Sequence, residues 1–294
     1  MIQQASTFNV PPMTAQTTAE ARTVHANGID IHYLEQGEGS TLVLLHGGVV
    51  STNPVWSGIP IAYASYMDTL ADHFRVIAPD TRGCGMTAHD DGLITFDRLA
   101  DDLLALVDAL GLDRPLVAGF SEGGITATIA GIKRPTAFRA IVNDAGYDAF
   151  NPTAPSMAMM RQMLGGDATA TEADPDSFAR MCAQSKQMTA MFELMQADQD
   201  SGQGEGHWAD YLRLAFHRTT RPTGYTYDDF AKITAPTLIV VGDRDEFCTL
   251  DDALIAFSRL PQGELAVLPG TGHVISPGKV DATVSFFERR LPTS

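Results

Sequence analysis

Cysteine is scarce in this chain: Cys84, Cys182 and Cys248 are three of its 294 residues. An odd and sparse set of cysteines does not make a disulfide framework, and no Cys-x-x-Cys or Cys/His spacing of a zinc site is present. We therefore predict no metal site. Cys84 lies between two glycines and is predicted to be a small turn residue rather than a nucleophile.

Positive charge and long apolar runs are also scarce. The chain has 20 Lys and Arg against 36 Asp and Glu, a formal net charge of −16, so a nucleic acid or an anionic membrane would be repelled. No apolar run reaches the roughly 18 residues of a membrane span, and the N-terminus lacks the basic and apolar segments of a secretory signal. We expect a cytoplasmic monomer or homodimer whose partner is a small molecule, not a nucleic acid or a membrane.

Apolar residues are plentiful, at 44% of the chain against 19% charged residues, which predicts a well-buried core. Runs typical of strands buried on both faces alternate with amphipathic helical patterns such as 96–112, and this alternation predicts an α/β fold with a mostly parallel sheet flanked by helices. Asn27-Gly28, between two alternating runs, predicts a hairpin at one edge of the sheet. The strand-like runs are TLVLLHGG, FRVIAPD, PLVAGFS, FRAIVNDAG, PTLIVVGDRDE and GELAVLPGTGH.

The alternation is interrupted in a segment rich in Met, Ala, Gln and Asp, which holds eight of the twelve methionines. A Met-rich helical face is usually part of a core, but it could also line an adaptable apolar pocket. We predict a small helical unit here, inserted between two parts of one core. The predicted divisions are a flexible arm over 1–21, a core over 22–146 and 226–294, and a helical insertion over 147–225.

One serine has an unusual setting. In LVAGFSEGG, residues 116–124, Ser121 lies between Gly119 and Gly123, after a strand-like run and before a helical one. A serine on such a strained strand-to-helix turn is exposed above the sheet, and small neighbours let strand and helix pack closely. The following amide, Glu122 N–H, lies at a helix N-terminus and could stabilise a developing oxyanion. We predict that Ser121 is a nucleophile.

Serine needs a base to take its proton. His273, directly after the last strand-like run, is the predicted base; the alternative is a loop histidine without a catalytic role. A carboxylate should orient its ring. Asp245 is the predicted acid, Asp243 is expected to shape its loop, and Asp144, after an earlier strand, is the alternative acid.

A second oxyanion donor is expected from LLHGGVV, at the end of another central strand. Glycines let the backbone approach a substrate there, so we predict the Gly48 N–H as the donor, with Val49 next. His46 precedes the turn and is predicted to be structural.

Five stretches in this order, LLHGG, APDTRGCGMT, GFSEGG, GDRDEF and GTGH, resemble the α/β-hydrolase family with a helical cap, and the resemblance runs from Arg22 to Leu291. It implies an eight-stranded sheet, a Ser-Asp-His triad, no cofactor, and a cap inserted after the sixth strand. Asp80 and Arg82, in the second stretch, are expected to be structural. Glu122 departs from the pattern, since many relatives carry an uncharged residue there; its carboxylate could bind a substrate amine or pair within the fold.

The nucleophile narrows the reaction. The family resemblance implies an aspartate nucleophile for the haloalkane dehalogenase and epoxide hydrolase branches. A serine with an oxyanion hole instead suits acyl transfer. The first hypothesis is therefore a serine hydrolase of a carboxylic ester or a lactone with a small to medium, largely apolar substrate. The alternatives are a proline iminopeptidase-like amide hydrolase, a cofactor-free C–C hydrolase, lyase or perhydrolase, and, from another class, a non-catalytic receptor for a small ligand.

Substrate contacts are predicted from two places. Val49 and Trp56 follow the oxyanion turn and could border the pocket. The other wall is expected from the insertion, with Met160, Phe192 and Trp208 as the candidates.

Overall fold

A computed structural model describes residues 18–53, 62–90 and 92–291. Within them the chain forms one sheet of eight strands in the order β1-β2-β4-β3-β5-β6-β7-β8. The strands are β1 (Glu20–Ala26), β2 (Ile29–Gln36), β3 (Thr41–Leu45), β4 (Arg75–Pro79), β5 (Leu116–Phe120), β6 (Ala140–Asp144), β7 (Thr237–Gly242) and β8 (Gly263–Leu268).

The sheet is mostly parallel, as the sequence predicts. β1 and β2 pair antiparallel, β2 pairs antiparallel with β4, and the remaining neighbours pair parallel. The hairpin turn has positive φ at both central residues, 47° at Asn27 and 77° at Gly28, the backbone that a type I′ turn requires. β1 begins at Glu20, inside the segment predicted as an arm, because Glu20 and Ala21 pair with β2. Residues 1–17 lie outside the described residues.

The central strands explain where the core lies. Every residue of β5, β6 and β7 is buried, because helices cover the parallel sheet and leave both faces dry. The helices outside the insertion pack on the sheet and on one another. They are α1 (Met67–Ala71), α2 (Phe96–Ala109) and α3 (Glu122–Lys133) before the insertion, and α8 (Leu250–Arg259) and α9 (Pro277–Glu288) after it.

Four α-helices lie between β6 and β7 and have a hydrophobic cluster of their own, which includes Leu164, Phe178 and Leu212. Val50 and Cys84, from loops of the core, join this cluster, so the helices rest on the carboxyl edge of the sheet. We call residues 155–219 the helical insertion; it lies within the predicted range. Its helices are α4 (Pro155–Gly165), α5 (Pro175–Cys182), α6 (Lys186–Gln203) and α7 (His207–Thr219).

In the part of the chain that the structure describes, every helix is too short or too polar to cross a lipid bilayer.

Candidate active site

Ser121 stands on the sharp turn between β5 and α3. Its backbone has φ 52° and ψ −118°, a left-handed conformation that is strained for a residue with a side chain. The two flanking glycines are needed for close packing. A Cβ on Gly119 would lie 2.2 Å from the Gly123 carbonyl carbon, and a Cβ on Gly123 would lie 2.6 Å from the Leu45 carbonyl oxygen. The turn therefore raises the serine side chain above the strand.

His273 and Asp245 meet Ser121 from the ends of β8 and β7. His273 Nε2 lies 3.1 Å from Ser121 Oγ, and its Nδ1 lies 2.9 Å from Asp245 Oδ2. Asp245 Oδ1 also accepts the backbone N–H of Phe247 and Cys248 at 3.0 and 2.8 Å, which fixes the carboxylate. Burial opposes ionisation of Asp245, but the hydrogen bond and charge of His273 outweigh it and lower the pKa of this carboxyl. A charged acid behind the imidazole is the arrangement that lets Nε2 take a proton.

Asp144, the alternative acid, has a different partner. Its Oδ1 accepts a hydrogen bond from the buried Lys279 ammonium at 2.6 Å, and both side chains are 1% exposed. Burial raises the pKa of Asp144 and Lys279 opposes that rise. The Asp144 backbone oxygen accepts the Ser121 N–H at 2.8 Å. Asp144 therefore lies beneath the site, while the carboxylate on the imidazole is Asp245.

Asp243, His46 and Arg82, from loops at the carboxyl edge of the sheet, have partners within the fold. Asp243 Oδ1 accepts the Thr271 N–H at 3.3 Å, so it braces the loop that carries His273. His46 is buried; its Nε2 accepts the Thr81 N–H at 3.0 Å and its Nδ1 lies 2.7 Å from the Gly47 carbonyl oxygen. The Arg82 guanidinium donates two hydrogen bonds to the Asp102 carboxylate, from Nε to Oδ2 at 2.8 Å and from Nη2 to Oδ1 at 2.6 Å.

The two candidate oxyanion turns face each other. Gly48, Val49, Ser121 and Glu122 all line one cavity. The Val49 N–H donates to the Tyr211 hydroxyl at 2.6 Å, so this amide already has a partner, and Gly48 stays the preferred donor. The Glu122 side chain binds Arg218, with 2.8 Å from Nη2 to Oε2 and 3.0 Å from Nε to Oε2. The sequence left two roles open for this carboxylate, binding a substrate amine or pairing within the fold. In the structure the Glu122 carboxylate is paired within the fold.

The cavity has a volume of about 540 Å³ and lies between the carboxyl edge of the sheet and the helical insertion. Ser121 and His273 form part of its floor. Its wall is mainly apolar, and the methionines of the insertion that line it are Met157, Met160, Met163, Met188, Met191 and Met195. Such a cavity fits a largely apolar molecule with one reactive polar group at the serine.

A family model described as the alpha/beta hydrolase family matches residues 42–282. The chain belongs to this family. Its eight-stranded sheet and its helix layers have the family's architecture.

Relatives of this α/β hydrolase differ in reaction. Haloalkane dehalogenase 2 of Mycobacterium tuberculosis (strain ATCC 25618 / H37Rv) is 34% identical over 113 residues, which are 38% of this chain and 37% of that protein. The 2-hydroxy-6-oxo-6-phenylhexa-2,4-dienoate hydrolase of Burkholderia cepacia is 25% identical over 282 residues, or 89% of this chain and 92% of that protein. The solved structure of Est816, an N-acyl homoserine lactone degrading enzyme, superposes with a TM-score of 0.68 at 22% identity, covering 92% of this chain and 100% of that one.

The predicted substrate contacts of the hydrolase divide into three groups. Val49 and Met160 line the cavity. Phe192 and Trp208 lie behind its wall instead: their rings pack edge to face at 5.6 Å, and Trp208 also packs on Phe178 at 6.1 Å. Aromatic rings of this size fill the small core of the insertion, and flexible methionines make up much of the wall together with Phe178 and Leu164. Trp56 lies outside the described residues.

Two charged residues of the cavity were missed by sequence reasoning. Asp148 and Arg221 both line it. Asp148 Oδ1 lies 3.3 Å from the Cys248 sulfur, and burial raises the pKa of this carboxyl. Asp148 could have been found from its position four residues after β6, at the carboxyl edge of the sheet. Arg221 follows α7 and belongs to no recognisable motif.

A metal site could be drawn through Asp245, Cys248 and His273, whose ligand atoms lie within 4.8 Å of one another. The donor set does not fit one. Burial raises the pKa of the Cys248 thiol well above its usual value, and its S–H donates to the Ala145 carbonyl at 2.9 Å. Metals bind the thiolate form of cysteine, and Asp245 and His273 are already paired.

Proposed function

We propose that this α/β hydrolase is a serine hydrolase that cleaves a carboxylic ester or lactone through an acyl-enzyme. The observation that carries the proposal is the chain of contacts from Asp245 through His273 to Ser121, at the floor of an apolar cavity. In the proposed roles, Ser121 is the nucleophile, His273 the general base and Asp245 the residue that orients the imidazole.

The reaction follows from these positions. His273 Nε2 takes the Ser121 proton as Oγ attacks the carbonyl carbon, and the negative charge develops on the carbonyl oxygen. The backbone N–H groups of Gly48 and Glu122 are the proposed donors to that oxygen. The imidazolium then gives its proton to the leaving alcohol as the C–O bond breaks. Water, deprotonated by His273, attacks the acyl-enzyme and releases Ser121. With a lactone, the alcohol stays attached to the acyl group.

The wall of the cavity supports an apolar acyl or alcohol group. Met side chains have three rotatable bonds and adapt to irregular apolar shapes, so the helical insertion is proposed to act as a cap that selects substrates by size. The fold likeness to Est816, a lactone-degrading enzyme, is consistent with a lactone in this cavity. Ser121 in place of an aspartate argues against dehalogenation, although haloalkane dehalogenase 2 is among the relatives.

A second candidate is C–C bond hydrolysis. It is favoured by the Burkholderia cepacia dienoate hydrolase, whose similarity extends over 92% of that protein. The same triad would serve both reactions. By contrast, an amine-binding role of Glu122, which would support a proline iminopeptidase-like reaction, is disfavoured because Arg218 holds its carboxylate.

The test is hydrolysis of p-nitrophenyl acetate, butyrate and octanoate and of a lactone series, by wild type and Ser121→Ala. We expect turnover by wild type and its loss in the variant. A 2-hydroxy-6-oxo-hexa-2,4-dienoate in the same assay tests the second candidate. A fluorophosphonate probe should label Ser121 covalently even when the substrate is unknown; a folded wild type without labelling would favour a receptor.

A further inference from the structure

Both turns proposed to hold the oxyanion donors contact the same helix of the insertion. From α7, the Tyr211 hydroxyl accepts the Val49 N–H and the Arg218 guanidinium binds the Glu122 carboxylate. Residues seven apart lie on the same face of a helix, about two turns from each other. One face of α7 therefore grips both turns at once.

The contact at Val49 holds an unfavourable backbone. Val49 has φ 61°, and a β-branched residue in this left-handed region is a genuine outlier that persists only where its surroundings enforce it. Tyr211 is buried and its hydroxyl lies 2.6 Å from the Val49 nitrogen. The bond fixes the peptide that directly follows Gly48. Without it, the turn is free to relax and to rotate the Gly48 amide.

The contact at Glu122 neutralises a carboxylate beside the proposed oxyanion hole. A Cβ built on Gly48 would lie 2.8 Å from Glu122 Oε1, so this charge lies next to the place where the substrate's negative charge develops. The Glu122 and Arg218 side chains are 14% and 4% exposed, and little water is available to screen them. An unpaired Glu122 would repel the oxyanion, and Arg218 prevents this.

We propose that Tyr211 and Arg218 are positioning residues through which the helical insertion shapes and neutralises the oxyanion hole of the core. The inference rests on the proposed serine chemistry. It also gives a reason for the unusual acidic residue after the nucleophile: Glu122 is the core's half of a bridge to the cap, and catalysis depends on the other half. The insertion would thus affect the rate of the chemical step as well as substrate fit.

The test compares Arg218→Met, Glu122→Gln, the double variant Arg218→Met/Glu122→Gln and Tyr211→Phe. Arg213→Met is the matched control, since Arg213 lies on the same helix in an exposed pair with Asp210. The first readout is the rate at which a fluorophosphonate labels Ser121, which needs no knowledge of the substrate. The second is kcat and KM for a p-nitrophenyl ester, and the third is the inhibition constant of a trifluoromethyl ketone.

We expect Arg218→Met to slow labelling and kcat by about 100-fold, the scale of losing one oxyanion donor, with KM little changed and the ketone bound correspondingly more weakly. The double variant should recover at least about tenfold over Arg218→Met, because both charges are gone. Tyr211→Phe should slow both rates about tenfold, and Arg213→Met should match wild type.

The outcomes separate the two proposals. A folded wild type that is not labelled at Ser121 would overturn the serine hydrolase itself. A labelled wild type with an equally fast Arg218→Met, or a double variant no faster than Arg218→Met, would overturn the inference alone. If Arg218→Met does not fold, Tyr211→Phe decides: unchanged labelling and unchanged ketone affinity would overturn it, and a parallel loss of both would support it.

Discussion

The floor and the wall of the cavity are built in different ways. The floor consists of turns at the ends of parallel strands, where backbone geometry fixes each side chain: Ser121 by its positive φ, and Asp245 by two backbone N–H groups. The wall consists of helices that present six methionines to the cavity, and methionine side chains change shape at little cost. The comparison indicates that rigid positioning for chemistry and adaptable contact for binding have been assigned to separate parts of the chain.

The two regions also differ in where the partner of each buried charge lies. Beneath the floor, Lys279 and Asp144 form a buried pair within the core. Between floor and wall, Arg218 and Glu122 form a pair that crosses from one region to the other. The first pair secures the frame of the site, whereas the second makes the floor depend on the wall.

The largest expected effect tests the floor. Asp245→Asn should lower kcat/KM for a p-nitrophenyl ester by about 10⁴-fold, because an amide holds the imidazole in the wrong tautomer. Asp243→Asn, on the same loop but bonded to the Thr271 N–H, is the matched control and should remain close to wild type. Full activity in Asp245→Asn would remove Asp245 from the triad.

The next effect concerns the buried Lys279–Asp144 pair beneath the floor, and the quantity measured is the free energy of chemical unfolding. Lys279→Met leaves Asp144 buried without its cation and should cost about 3–5 kcal/mol of unfolding free energy. Lys232→Met, which breaks the exposed pair with Asp229, is the control and should cost less than about 1 kcal/mol. Lys279→Met/Asp144→Asn should regain much of the loss.

The pH dependence of Lys279→Met has a definite sign. Burial already raises the pKa of Asp144 in the folded protein, and removing Lys279 raises it further. A carboxyl whose pKa is higher when folded binds more protons in the folded state, so stability falls as pH rises. The deficit of Lys279→Met should therefore be smaller at acidic pH than at neutral pH. A deficit that grows on acidification would show that Asp144 is not the group left unpaired.

The floor was predictable from sequence because its signals are local. A strand-like run, a G-x-S-x-G turn and a helical pattern place Ser121 without any knowledge of tertiary contacts, and His273 and Asp245 follow strands in the same way. Tyr211, Arg218 and Lys279 carry no such pattern, since their roles depend on which distant residue each one meets. The structure places the rings of Phe192 and Trp208 in the small core of the insertion, and their predicted contact with substrate stays a prediction. Helical periodicity does not say whether a face points to a cavity or to a small core.

Another experiment tests the wall. Met160→Ala enlarges the cavity at a lining residue, so the preference among p-nitrophenyl esters should shift toward longer acyl chains, by about tenfold in the octanoate-to-acetate ratio of kcat/KM. Phe192→Leu is the control behind the wall. It should lower the unfolding free energy by about 1 kcal/mol and leave that ratio unchanged. A shift of the ratio in Phe192→Leu alone would return Phe192 to the substrate.

The smallest expected effect tests whether the wall also distinguishes anionic from neutral substrates. Arg221 is exposed and lines the cavity. A neutral ester makes no ion pair with it, and water weakens the ion pair that an anionic substrate would make. Arg221→Gln should therefore leave KM for p-nitrophenyl butyrate within about twofold of wild type. KM for an ester or dienoate bearing a carboxylate should rise up to about fivefold, because an exposed ion pair contributes at most about 1 kcal/mol. Arg213→Met again serves as the control for a surface charge on the insertion. If the KM of the anionic substrate is the same in Arg221→Gln as in wild type, the wall selects substrates by shape alone. If KM rises for the anionic substrate and not for the neutral one, the C–C hydrolase reaction is favoured over the lactonase reaction.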